Sequence, residues 1–145
     1  MKLIAIVVLA ACTHAPVPQE SGSGGWETWS HDKKLAFMKA TVMPAERNVF
    51  MGFEPVRYEK MTCETCHGAS AREGRYTMPN PDLPKLVGGK QGFEELARVQ
   101  PETLKFMQSV VVPETAKLLG VKPFDFETHT GFSCYQCHVK IDVKP

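Results

Sequence analysis

"LAFMKATVMP" (residues 35–44) returns 69 positions later as "LKFMQSVVVP" (residues 104–113). Leucine, phenylalanine, methionine, valine and proline keep identical places, while the residues between them change. In both copies the apolar residues Leu35, Met38 and Val42, or Leu104, Met107 and Val111, fall on one face of a helix. The first helix is predicted to begin at Ser30 or Asp32, both good N-caps, and to run to about Met43. The second begins with Pro101 in its first turn and extends through Leu118 and Leu119. Pro44 and Pro113, each six residues beyond the methionine, are expected to end or kink their helices.

The likeness extends further along the chain. Phe50 aligns with Leu119, and after a two-residue insertion "FEPVRYEKMTCETCH" (residues 53–67) aligns with "FDFETHTGFSCYQCH" (residues 124–138). Each half reads as a long helix, a connector and a short helix, which implies two copies of one unit, at about residues 30–70 and 101–140. Between them "YTMPNPDLPKLVGGKQG" is a loop rich in proline and glycine that leads to a short helix near residues 93–99. No strand of consequence is expected, and the predicted fold class is all-α.

The beginning of the chain has a different character. Lys2 and the apolar residues 3–11 form a short export signal, too short to span a bilayer. The sequence Leu9-Ala10-Ala11-Cys12 resembles the lipobox of bacterial lipoproteins. That resemblance implies cleavage before Cys12 and acylation there, with several acyl chains giving a stable membrane anchor. Residues 12–25 then form the lipidated cysteine and a flexible tether rich in Pro, Ser and Gly. Residues 26–145 form one domain, its length suiting one rather than two. Beyond residue 12 the chain carries 16 basic and 16 acidic side chains. A neutral balance with no basic stripe excludes nucleic acid as a partner.

With Cys12 assigned to the anchor, four cysteines remain, as Cys63/Cys66 in "CETCH" and Cys134/Cys137 in "CYQCH". A histidine, His67 or His138, follows each pair. C-x-x-C-H is the attachment signature of c-type haem. Positions i, i+3 and i+4 share a helix face, so two thiols can add to the two porphyrin vinyl groups while the next imidazole meets the iron. A zinc ribbon would not separate its pairs by 67 residues. Two disulfides would not explain the paired histidines, and no βαβ pattern supports a thioredoxin-like site. Two covalently bound haem c groups, each with its iron, are therefore expected.

A methionine-bearing helix, a connector and a C-x-x-C-H helix together resemble the repeat unit of reaction-centre-type multihaem cytochrome c subunits. The resemblance spans most of residues 30–138 and implies Met38 and Met107 as the distal ligands of the two irons. The connectors depart from it in length, at 25 residues from Met38 to Cys63 and 27 from Met107 to Cys134. Met78, in a Met-Pro pair, and His129, ahead of the second string, are rival ligands.

The expected function is electron transfer between redox partner proteins by a dihaem cytochrome. No catalytic residue and no small-molecule substrate are called for. The alternatives are a small haem enzyme with one open iron, of peroxidase or nitrogen-oxide reductase type, and a haem subunit of a larger electron-transfer complex. The expected location is the periplasmic side of a bacterial membrane. Thr13, where an aspartate often marks inner-membrane retention, points to the outer membrane.

Overall fold

The computed structural model describes residues 25–142. The export segment, Cys12 and nearly all of the tether lie outside the described residues. The molecule is mostly helical. Helix α1 (His31–Phe37) starts at Ser30, whose hydroxyl accepts the Lys33 N–H at 3.3 Å. The chain then widens into a π-helical turn, Met38–Val42, and continues as α2 (Met43–Phe53). Helix α3 (Pro55–Tyr58) and helix α4 (Cys63–His67), which carries the first Cys-x-x-Cys-His string, follow. The second long passage has the same order. Helix α6 (Pro101–Phe106) enters a π-helical turn, Met107–Val111, and leaves it as α7 (Val112–Leu119). Between the passages lies α5 (Gly89–Val99), longer than the segment near residues 93–99 that the sequence predicts.

The prolines do not end these helices. Pro44 and Pro113 each sit in the first turn after the wide turn. There the N–H of Met43 bonds to the Met38 carbonyl and that of Val112 to the Met107 carbonyl, an i→i+5 pattern. Proline donates no hydrogen bond, and its ring clashes with the carbonyl four residues back in a regular α-helix. A wide turn just before it relieves that clash, and the helix passes through.

The core is thin. Among the described residues the buried apolar side chains are Val42, Phe50, Met61, Phe106 and Ala116. Phe106 stacks on Phe53 at 4.1 Å between ring centroids and meets Phe50 edge-on at 5.3 Å. Tyr58 closes the cluster against Phe50 at 4.8 Å. Trp26 and Trp29 pack on Phe37 rather than on this cluster, and the Lys33 ammonium lies 4.5 Å from the centre of the Trp29 ring.

Two short strands appear where none of consequence was expected. Strand β1 (Leu86–Val87) runs parallel to β2 (Lys140–Ile141), pairing Leu86 with Lys140 and Val87 with Ile141. A further parallel bridge joins Asn80 to His138. These pairings have a structural consequence beyond their size. They hold the loop that follows the first C-x-x-C-H string against the chain that leaves the second. Gly92 makes the adjoining contact possible, because a Cβ there would collide with the Val87 carbonyl.

Candidate functional site

Cys63, Cys66 and His67 occupy the single short helix α4. Thr62 and Thr65 close its start reciprocally as a capping box, and Gly68 ends it. Gly68 is at φ 67, and the space a Cβ would need is filled by the side chains of Asn80 and Asp82. Both conditions require glycine at this position.

The second string departs from the expected α-helix. Cys134–Gln136 forms a 3-10 turn, capped by the Ser133 and Gln136 side chains, and the His138 N–H still reaches the Cys134 carbonyl at 2.8 Å. The turn cannot lengthen. Immediately beyond it, the bridge at His138 and the Leu86 N–H, bonded at 3.0 Å to the Val139 carbonyl, draw the backbone into extended pairing.

Asn80 joins the two strings and is only 1% exposed. Its side-chain Nδ2 donates to the Cys66 carbonyl at 3.0 Å, and its backbone N–H donates to the Cys137 carbonyl at 2.9 Å. Its Oδ1 accepts the Asp82 N–H at 2.9 Å, and Asp82 in turn accepts the Ala69 N–H at 3.0 Å. One buried side chain thus ties the end of α4 to the second string through the turn "NPD".

Cys63, Cys66, Cys134 and Cys137 are free thiols, and burial makes Cys66, Cys134 and Cys137 less acidic. Desolvation pushes Cys66 up to about 12, helped by the proximity of Cys137, Glu46 and Cys63. It pushes Cys137 up to about 11, with Cys134 and Glu46 adding to the effect. A nucleophilic or redox-active thiolate needs a positive surrounding, and these thiols face other cysteines and a carboxylate. Nor do the pairs converge into a zinc site. Among the described residues no three His, Cys, Asp or Glu side chains are grouped to hold a metal ion.

The two imidazoles differ. Nδ1 of His138 lies 2.8 Å from the Pro84 carbonyl. A carbonyl can only accept, so Nδ1 carries a proton, and Nε2 is the ring nitrogen left for a metal. Burial lowers the pKa of His67 and keeps it neutral, but its buried Nδ1 has no partner, and its ring meets Tyr76 edge-on at 5.3 Å. The other buried side-chain polar atoms without a partner among the described residues are Glu46 Oε2 and the Tyr135 hydroxyl. All three lie in or beside the two strings.

Met107 packs, together with Cys66, on the Phe50–Met61–Phe106 cluster. Met38 is half-buried at the head of its own π-turn. Met78 is half-buried two residues before Asn80, whereas His129 occupies an exposed turn at φ 55, 6.4 Å from the Phe124 ring. The arginines near the strings have partners already. Arg47 donates to the Glu59 carbonyl, Arg57 pairs with Glu54, Arg72 with Glu64 and Arg75 with Glu73. A separate open cleft of ≈ 770 Å³ lies along Val121, Phe124, Asp125 and Phe132; it reaches Gln136 but none of the cysteines.

Sequence reasoning missed Asn80, Pro84 and Glu46. Asn80 had a legible signal, since Asn-Pro-Asp is turn chemistry in which an asparagine side chain bonds the backbone two residues on. Glu46 had one too. It stands between Val42 and Phe50 at helical spacing, a carboxylate in the middle of a buried stripe. No protein-family model, curated protein or solved structure matches the chain.

Proposed function

We propose that the chain is a dihaem c-type cytochrome, exported and anchored through Cys12, that carries electrons between redox partner proteins on the periplasmic side of a bacterial membrane. The reading rests above all on the paired strings. Two Cys-x-x-Cys-His turns are held side by side by Asn80, each offering two free thiols and an imidazole.

The residues present fit covalently attached haem. Cys63 with Cys66, and Cys134 with Cys137, have the spacing for two thioether bonds. His138 is fixed by the Pro84 carbonyl in the tautomer that presents Nε2. A thin core with half-buried Met38, Met107, Leu35 and Leu118 leaves apolar surface for a large flat group to cover. When bound, such groups supply one-electron chemistry at iron. The chain's own part is to fix the imidazoles, exclude water from the string face and hold the two attachment turns close together. The two helix–π–helix passages are read as the first halves of two copies of one haem-binding unit. Both π-turns start at the methionine assigned as distal ligand, and such turns are frequent at functional sites.

The unequal imidazoles imply unequal irons. A proximal histidine that donates from Nδ1 is a more basic ligand, which lowers the potential of the iron it serves. The His138 centre is accordingly expected to have the lower potential of the pair. The haem-enzyme reading requires an open iron, which carbon monoxide reports. The dithionite-reduced wild type is expected to show no carbon monoxide shift in its absorption spectrum, and Met107→Ala a shift at one haem with a lowered potential. A variant with unchanged spectrum and unchanged potential removes Met107 from the ligand set. Ready binding by the wild type favours the enzyme.

A further inference from the structure

Glu46 is 5% exposed on α2, one turn from Val42 and one turn from Phe50. Its hydrogen bonding favours a proton on the carboxyl. Oε1 lies 2.7 Å from the Thr115 hydroxyl, and that same hydroxyl lies 2.7 Å from the Val111 carbonyl. A hydroxyl has one hydrogen to donate. If Glu46 is ionised, both neighbours of Thr115 are acceptors, and its hydroxyl can serve only one of them. If Glu46 is protonated, it donates to Thr115 Oγ1 and Thr115 donates to Val111, so the chain of bonds closes. Oε2 is buried with no partner, which costs far less on a neutral acid than on an anion.

The charged groups on the neighbouring elements offer the anion no relief. Arg47, next along α2, is bonded to the Glu59 carbonyl. On α3, Arg57 is paired with Glu54, and Tyr58 packs on Phe50. Lys39 on the first π-turn is exposed, and the second π-turn, Met107–Val111, contains no charged residue. On α7, Lys117 pairs with Glu114, which itself repels a charge on Glu46. On α4, Glu64 is paired with Arg72. Cys66 packs on the cluster of Phe50, one turn along α2 from Glu46, and both Cys66 and Cys137 feel the Glu46 charge. Burial raises its pKa and Glu114 adds to the rise, against a smaller lowering by the Thr115 hydrogen bond.

We propose that Glu46 is a redox-linked proton site: it takes up one proton from solvent when a neighbouring iron accepts an electron, and releases it on oxidation. The proposal rests on the dihaem reading. The step balances as ferric iron plus one electron from an external one-electron donor giving ferrous iron, with the Glu46 carboxylate and one solvent proton giving the carboxylic acid. The added negative charge at iron raises the Glu46 pKa. Between its oxidised-state and reduced-state values, the electron taken by that neighbouring iron brings one proton. The chain then carries hydrogen equivalents in that pH window rather than bare electrons.

The test is a spectroelectrochemical titration of the holoprotein at a series of pH values. In the window, the reduction equilibrium of one haem is expected to change tenfold per pH unit, about 59 mV for one electron. Glu46→Gln, which keeps shape and removes the titrating proton, should flatten that dependence while retaining two haems. Redox-difference infrared spectra of the wild type give a second reading that needs no variant. Reduction should remove a carboxylate band and add a protonated carboxyl band. Potentials independent of pH in a dihaem wild type, or an undiminished slope in Glu46→Gln, would overturn the proton site and leave the cytochrome standing. A wild type without covalent haem would overturn both.

Discussion

The Cys63→Ala/Cys66→Ala chain is expected to carry one covalent haem, against an expected two on the wild type, and to lose much of its thermal stability. The stoichiometry follows from attachment, because Cys134, Cys137 and His138 are untouched. The stability loss follows from where Cys66 sits. It packs against Phe50, Met61 and Phe106, three of the few buried apolar side chains among the described residues. A group bonded through Cys66 would extend that cluster and add apolar surface for folding to bury. Haemochrome quantitation and thermal unfolding check the two halves separately. Two haems in the variant would remove this pair from attachment.

Asn80→Ala is the second substitution with a large expected effect, a loss of about 2–4 kcal/mol. Removing the side chain leaves the Cys66 carbonyl without its donor and the Asp82 N–H without its acceptor at a site 1% exposed. Each buried group so orphaned costs about 1–3 kcal/mol. The cavity adds to that cost, and Gly68, shaped to face Asn80, has no side chain with which to fill it. The backbone bond to Cys137 survives the substitution, so the two strings should loosen at the α4 end first. Denaturant unfolding of the holoprotein measures the loss, and a change below about 0.5 kcal/mol, the range of an ordinary surface substitution, would contradict the bridging role.

Local patterns in the chain foretell the helices better than the way they meet. The stripe of Leu35, Met38 and Val42 and the first-turn Pro101 predict helices that the structure contains. The prolines mislead, because proline chemistry read alone forbids a continuous helix, and only the i→i+5 turn beside it shows how Pro44 and Pro113 are tolerated. The second string fails as an α-helix for a non-local reason: its exit pairs with residues near Asn80 and Leu86, more than 50 positions earlier. The same distance hid Pro84. Its carbonyl orients His138 across 54 residues of chain, and no periodicity records such a contact. Glu46 was legible as an anomaly, but its partner Thr115 was not obvious, though it stands 69 positions away, the offset of the two decapeptides.

A dihaem cytochrome requires haem on both Cys-x-x-Cys-His strings. Intact-mass measurement of the chain, produced in a host competent for cytochrome c maturation, reads this out. The expected result is a polypeptide heavier by two haem groups, both retained after acid-acetone extraction, with a c-type α-band on reduction. A chain of unmodified mass with four alkylatable thiols among Cys63, Cys66, Cys134 and Cys137 would contradict it.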